Sequence, residues 1–271
     1  MHFYTFLSAG MTIAAALAAM IPEAAMIPEA AIDTKETLEL PSILSVIPLQ
    51  NLTQDDVIIY GLHNQVKVIS RSELQSIMGD IPIATEEQHN KNLTSLVHDF
   101  TETEPTRTIA KRCPKETVWS MNPIKTYFNW DVPMSSVIHA PDNSSASISV
   151  STGYWISNSL SSSASNSNAI KQFMTNNFDV SYSKSWTTTH SSGYTFTIPP
   201  GKYGSIVSNP MTIQHSGFMD VGCIGQTTRT SFISESYRSM SQSGMPWVEG
   251  IITLCLGDSY PLRRCTGSGM L

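Results

Sequence analysis

In two stretches of the chain, small and mostly hydroxyl residues alternate with positions that hold most of the larger side chains. In residues 180–198 every odd position is Ser, Thr or Gly, and the even positions include Trp186 and Phe196. Nearly every odd position of residues 147–167 is Ser. Because side chains alternate across a strand, both stretches predict β-structure with one hydroxyl face and one partly apolar face. One strand of nineteen residues would span about 65 Å, so we expect either overlong strands or several shorter ones with the same facing.

Period-two segments recur further along the chain, at 202–208, 227–234 and 247–255. Turn signals such as Asn209-Pro210 separate them. The helical spacing of Ile170, Phe173 and Met174 predicts one helix over residues 169–178. Residues 113–271 are therefore expected to form a mainly β fold, either an antiparallel β-sandwich or an elongated β domain.

The first part of the chain shows a smaller α+β pattern. Residues 57–60 are apolar, residues 66–69 are apolar except for Lys67, and the two flank a turn, which predicts a hairpin. Ser70 and Glu73 have the spacing of a capping box, which predicts a short helix closed by Gly79. This region is too small for a robust core of its own, so we interpret it as a propeptide or accessory region.

The two ends of that region carry processing signals. Residues 1–18 are apolar, without an acidic residue, and end in a small-x-small pattern at Ala18, which predicts a signal peptide and secretion. Residues 1–112 hold 14 acidic and 7 basic side chains, whereas residues 113–271 hold 8 acidic and 9 basic ones. The pair Lys111-Arg112 stands at this change of charge, and it predicts cleavage into an N-terminal region, 19–112, and a β-rich domain, 113–271.

The cysteines indicate a disulfide-stabilised domain. There are four, and an even number in a secreted chain favours two disulfides. Three pairings are open, and we favour Cys223 with Cys255 and Cys113 with Cys265 because these would join neighbouring strands and the two ends of the processed domain. The four cysteines lack CxxC spacing, which disfavours metal binding.

Surface chemistry is suggested by two further residue sets. Sequons at Asn51, Asn92 and Asn143 are expected to be glycosylated in exposed loops. Four aromatic residues of the alternating stretches are candidates for a binding surface, although most of them are expected to pack in the core instead: Tyr154, Trp155, Trp186 and Tyr194.

Catalytic spacing is not evident in residues 113–271. His139, His190 and His215 are scattered. Asp142 is better explained by an ordinary turn, as is the Gly257-Asp258-Ser259 string, and Asp131 by a strand that ends at Pro133. We therefore predict a protein that is not an enzyme and uses no cofactor or metal. The near-neutral second part has no basic stripe, which disfavours nucleic acid as a partner.

Several strings resemble a family of small secreted, effector-like proteins of filamentous ascomycete fungi: MNPIKTYFNWDVPMSSV, STGYWISNS, FDVSYSKSWTTT, YTFTIPPGKYGSIVSNP and SGFMDVGCIG. The resemblance covers about residues 40–271. It implies an extracellular role towards a host or competitor and carries no catalytic residues. In pattern alone, the alternating stretches are similar to the strands of aerolysin-type β-pore-forming toxins.

The predicted function is binding to a surface component or membrane of a host or competitor. The alternative is a pore-forming toxin, acting as a homo-oligomer, in which residues 146–167 and 180–198 line a watery lumen with hydroxyls. Lys184 and His190 on the opposite, lipid-facing side count against it. A secreted hydrolase with an unrecognised site is a third possibility.

Overall fold

A computed structural model of the chain describes residues 51–62, 65–78, 81–96, 115–164, 167–223, 226–242 and 244–271. The predicted signal peptide with Ala18, the processing pair Lys111-Arg112 and the first cysteine, Cys113, lie outside the described residues. The cleavage predictions therefore stay predictions.

The described residues are mainly β, with a large antiparallel sheet, which confirms the predicted fold class. The strands are Asp56–Tyr60 (β1), Val66–Ser70 (β2), Glu116–Met121 (β3), Lys125–Phe128 (β4), Val132–Pro133 (β5), Ile138–His139 (β6), Ala146–Val150 (β7), Trp155–Ser157 (β8), Ser159–Ser162 (β9), Ser185–Thr187 (β10), Ser191–Ile198 (β11), Tyr203–Cys223 (β12), Gln226–Ser236 (β13), Ser239–Gln242 (β14), Met245–Val248 (β15) and Gly250–Gly257 (β16). The helices are Arg71–Met78 (α1), Glu86–His89 (α2), Asn168–Phe178 (α3) and a short 3-10 helix, Leu93–Leu96.

Strand β12 organises the large sheet. Its 21 residues span roughly 70 Å at about 3.4 Å per residue. The sheet has the order β2-β1-β16-β12-β13-β9, and the short strands β3 to β6 also pair with β12. Shorter pairs complete the β structure: β7 with β11, β8 with β10, and β14 with β15.

The length of β12 corrects the sequence prediction, which ended a strand at 208 and placed a turn at Asn209-Pro210. Pro210 lies inside β12, opposite Gly250 of β16. A Cβ atom on Gly250 would lie 2.4 Å from the Asn209 carbonyl oxygen, so only glycine permits this close approach of the two backbones. Proline cannot donate to a ladder, but its carbonyl oxygen still accepts a hydrogen bond from the Asn129 N–H at 2.9 Å.

The alternating stretches form five short strands, β7 to β11, rather than two overlong ones. Their predicted two-faced character is confirmed, because Ile148, Trp186, Phe196 and Ile198 are all buried. Most of the alternate hydroxyl positions are exposed or half-buried, and Ser191 is buried at a register shift. The apolar face packs into one cluster with β1, β12, β15 and β16, which we call the large core: Leu52, Ile58, Tyr60, Met134, Ala140, Ile148, Val150, Ile156, Trp186, Tyr194, Phe196, Ile198, Ile206, Tyr237, Met245, Trp247, Val248, Ile252 and Leu254.

Helix α3 lies where the sequence predicts it and carries a second cluster. Ile170 and Met174 are fully buried on its inner face, as their spacing predicts. They pack with Val180, Met219 and Phe232, and we call these five residues the helix core.

The N-terminal hairpin also forms as predicted, but it is not separate from the β-rich domain. Strand β1 pairs with β2 on one edge and with β16 on the other. Val57, Ile58 and Tyr60 are completely buried, and all the described residues belong to one compact unit. The division expected at residue 112 therefore does not divide the packing. The capping box is present, with the Glu73 carboxylate accepting the Ser70 N–H at 3.0 Å.

The predicted disulfide pairing is wrong. Cys255 is bonded to Cys265, with their Cα atoms 5.6 Å apart. Cys255 lies opposite Ser205 near the start of β12, whereas Cys223 ends that strand, about 60 Å away at strand spacing. A disulfide requires Cα atoms about 4.4–6.8 Å apart, so the favoured Cys223–Cys255 bond cannot form. Cys223 is disulfide-bonded as well, and since Cys265 is taken, the predicted Cys113–Cys265 bond is also excluded.

Candidate functional site

A cleft of about 560 Å³ opens where the large core and the helix core meet. One wall is the segment that follows α3, and the other is the link from β13 to β14. The lining residues come from four distant parts of the chain: Asn158, Phe178, Asp179, Val180, Ser181, Lys184, Ile213, Ser236, Tyr237, Arg238 and Ser239.

The first wall is fixed by the end of α3. Asp179 adopts a left-handed conformation, with φ of 54°, and its N–H caps the last carbonyls of the helix. The chain then turns back, and the Thr175 hydroxyl donates to the Val180 carbonyl at 2.8 Å. Since the Val180 side chain is anchored in the helix core, the Ser181–Lys184 segment is held at the mouth of the cleft.

Asn158 ties the two walls together. Its side-chain amide donates to the Ser181 carbonyl at 3.0 Å, and its amide oxygen accepts the Tyr237 N–H at 3.0 Å. Asn158 is buried, so both bonds are shielded from water. The cleft is therefore a preorganised feature of the fold.

Two cationic side chains border the cleft. The Lys184 ammonium lies 5.3 Å from the centre of the Trp186 ring, and among the described residues no carboxylate forms an ion pair with it. The Arg238 side chain is 67% exposed, and its guanidinium is 3.8 Å from the Glu249 carboxylate, a loose contact. The exposed Asp179 carboxylate at the same cleft is the opposing charge. The site thus offers strong hydrogen-bond donors together with one acceptor carboxylate.

The cleft rests on buried aromatic and polar side chains. Burial, reinforced by the charge of Glu235, raises the pKa of Tyr237, so its hydroxyl stays protonated. His215, next to the lining residue Phe178, is 5% exposed, with its ring 4.5 Å from the phenyl ring. Burial lowers the pKa of His215, and its Nδ1 has no hydrogen-bond partner. Burial therefore favours the neutral form of this imidazole.

Two of the four candidate aromatics pack in the core, which is the role expected for most of them. Trp186 and Tyr194 are buried in the large core, because their even positions face the sheet. The Trp186 indole N–H donates to the Ser239 hydroxyl at 3.0 Å, and so braces the cleft from beneath. Trp155, at an odd position, is 67% exposed, and Tyr154 is half-buried. Only Trp155 of this set presents a full aromatic face to solvent.

The other predicted residues are dispersed over the fold. Asn51, Asn92 and Asn143 are exposed, as glycosylation requires, and their modification stays a prediction. His139 lies beside Tyr203, and His190 is exposed to solvent. Among the described residues, no ring contact or hydrogen bond joins either of them to His215.

Asp131 serves a structural purpose. Its buried carboxylate accepts the N–H groups of Cys265 and Thr266 at 2.7 and 2.9 Å, and a side-chain N–H of Asn209 at 2.8 Å. Its oxygen and the sulfurs of Cys255 and Cys265 lie within 4.8 Å of one another. Both sulfurs belong to the disulfide, so they cannot bind a metal as thiolates. Asp258, in the Gly-Asp-Ser string, pairs with Lys202.

The cleft was not predicted, because its residues are scattered and unremarkable along the chain. The single signal was Lys184, which interrupts the apolar face of its stretch. Arg238 and Asn158 stand in no motif.

Within the part of the chain that the structure describes, no helix is long and apolar enough to cross a membrane. No known protein family, no characterised protein and no solved structure matches the chain.

Proposed function

We propose that this is a secreted, effector-like protein without enzymatic activity, and that it binds a surface component of a host or competitor in the cleft between Asn158 and Arg238. The observation that carries the proposal is the cleft itself, whose walls are tied together by buried hydrogen bonds before any ligand arrives. Preorganised clefts of this size are typical of ligand sites.

The chemistry of the lining favours an acidic, hydroxyl-rich ligand. Lys184 and Arg238 supply charged donors, which form shorter and stronger hydrogen bonds to carboxylate, sulfate or phosphate than neutral donors do. Ser181, Ser236 and Ser239 add hydroxyls that both donate and accept. A volume of about 560 Å³ accommodates a ligand about the size of a disaccharide. An acidic surface glycan satisfies all three conditions.

Binding to immobilised glycans tests this proposal. We expect the protein to bind heparin or polygalacturonate more tightly than chitin oligomers or cellulose. Lys184→Ala and Arg238→Ala should each weaken binding at least tenfold. Lys115→Ala should not, because this exposed lysine precedes Glu116, which pairs with Gly222 nine residues along β12 from the lining residue Ile213. Equal binding by all three variants, or no preference for acidic glycans, would contradict the proposal.

A pore-forming protein is the alternative, favoured by one observation. The two alternating stretches pair with each other in antiparallel fashion, β7 with β11 and β8 with β10, as a membrane-inserting hairpin would. Against it, their apolar residues already fill the large core, so exposure to lipid would dismantle that core.

Dye-loaded vesicles separate the two functions. The pore alternative predicts dye release from anionic or neutral vesicles together with a stable oligomer on a gel. The binding proposal predicts intact vesicles in both compositions.

A further inference from the structure

We propose that residues 51–96 are a permanent subunit of the folded protein, so that a chain cut after Arg112 stays assembled as two non-covalently associated chains. This inference is independent of the cleft and its ligand. It concerns the surface of residues 115–271 that residues 51–96 cover.

Strand β1 is an inner strand of the large sheet. Four residues of β1, Val57 to Tyr60, pair with Thr253 to Gly250 of β16. Removing β1 would leave the edge of β16 without a partner and would expose the apolar residues packed against it. Strand β1 is therefore an integral part of the sheet and not a segment that merely lies over its surface.

Tyr60 and Leu52 anchor the segment that contains β1. The Tyr60 hydroxyl is fully buried, donates to the Met245 carbonyl and accepts the Gln242 N–H at 3.1 Å. The Leu52 backbone exchanges two hydrogen bonds with β11, to the Thr195 carbonyl at 3.0 Å and from the Thr197 N–H at 2.7 Å. Without this segment, the buried Met245 carbonyl would lose its hydrogen-bond donor, and the backbone groups of Gln242, Thr195 and Thr197 would lose these partners.

The segment before α2 extends the edge of β4. The Ala84 N–H donates to the Phe128 carbonyl at 2.8 Å, and the Phe128 N–H donates to the Pro82 carbonyl at 2.9 Å. The Trp130 indole N–H donates to the Ala84 carbonyl at 2.9 Å, and the His89 ring stacks on Trp130 at 3.9 Å. This is recognition by strand addition, with an aromatic residue at its centre.

An ion pair with a buried carboxylate also joins residues 51–96 to residues 115–271. Glu235 is 2% exposed in β13, and its only ion pair among the described residues is with Lys91, at 3.2 Å. The Lys91 ammonium also donates to the Ser159 hydroxyl at 2.8 Å. Loss of Lys91 would leave a carboxylate buried without its counter-ion, which is strongly unfavourable.

The association must be non-covalent after such a cut. All four cysteines follow Arg112 in the sequence, so no disulfide within this chain can join the two products. A conventional removable propeptide would leave a folded domain behind. Here, loss of residues 51–96 would unpair the edge of β16, remove residues from the large core and leave Glu235 without its counter-ion.

The experiment uses the full-length chain with the recognition sequence of a specific protease inserted between Arg112 and Cys113. After cleavage is checked on a denaturing gel, both fragments should co-elute from a native sizing column at the volume of the uncut protein. They should separate in guanidinium chloride without reductant. Elution of the N-terminal fragment alone under native conditions, whether the remainder is soluble or precipitates, would overturn the proposal.

Dilution of the cut protein then measures the affinity of the two fragments. Lys91→Ala should raise their dissociation constant at least tenfold relative to Lys67→Ala, an exposed lysine of the same fragment. Equal dissociation constants for the two variants would overturn the assigned role of the Lys91–Glu235 pair.

Discussion

The large core and the helix core share strand β12 but differ in how they are built. The large core joins nineteen buried residues from Leu52 to Leu254, and therefore from almost the whole described chain. The helix core has five, from α3, the residue Val180 and two neighbouring strands. A cluster assembled from distant segments can form only when all of them are in place, whereas α3 can loosen from the sheet on its own. The first core should therefore determine global stability, and the second the rigidity of the cleft.

The largest expected effect comes from a tryptophan of the large core. Trp247 is fully buried, and its indole N–H donates to the Ser208 hydroxyl at 3.1 Å. Trp247→Ala should lower the free energy of unfolding by about 3–5 kcal/mol, since it creates a cavity and leaves a buried hydroxyl unpaired. Chemical denaturation measures this. Trp155→Ala, at a 67% exposed position, is the matched control and should change stability by less than about 0.5 kcal/mol. Similar losses for both would contradict the assignment of the core.

The helix core should respond more locally. Phe232 is fully buried under α3, and its ring meets Trp119 edge-on with centroids 6.1 Å apart. Phe232→Ala should cost about 3 kcal/mol, and amide hydrogen exchange should rise in α3 more than in β1. Phe232→Leu, which keeps most of the volume, should cost less than about 1.5 kcal/mol. Equal loss of protection in α3 and β1 would show that the two cores unfold as one unit.

Asn158 tests whether the cleft depends on the junction of the two cores. Asn158→Ala removes one hydrogen bond to each wall, and should lower stability by about 1–3 kcal/mol while weakening glycan binding at least as much as Lys184→Ala. Asn176, on the exposed face of α3, provides the control, because alanine there should slightly stabilise the helix. Unchanged glycan binding by Asn158→Ala would show that the cleft keeps its shape without this tie.

These regions also differ in how far the sequence predicts them. Alternation at Trp186 and Phe196 and helical spacing at Ile170 and Met174 report which side of an element is buried, and both were correct. The passage of β12 through Pro210 depends on Gly250, forty residues away, which no local pattern reveals. The disulfide and the cleft likewise depend on which distant segments the sheet brings together. Local periodicity predicted the faces of the elements, but not their partners.

The smallest effect is a pH dependence that belongs to the helix-core side. Burial lowers the pKa of His215, whereas in the unfolded chain the imidazole has its ordinary pKa of about 6.5. Above about pH 6.5 both states are neutral at this group, and it contributes no pH dependence. Below it the unfolded chain takes up a proton that the folded protein excludes, so the free energy of unfolding falls as the pH falls.

Denaturation curves at pH 7 and pH 5.5 measure this loss. The ring of His215 lies against Phe178, and Ser234 is its partner on β13. Ser234 hydrogen-bonds to the Tyr182 hydroxyl, and burial raises the pKa of Tyr182, so this group stays uncharged. None of these described contacts supplies an anion that would compensate a proton on the imidazole. His215→Gln should therefore reduce the loss of stability on acidification, whereas His190→Gln, at an exposed position, should leave it unchanged. If the wild type and both variants lose stability equally between these pH values, the acid sensitivity arises elsewhere in the chain. If only His215→Gln resists acid, the buried imidazole accounts for the loss of stability, because it is the group that the folded protein keeps from taking up a proton.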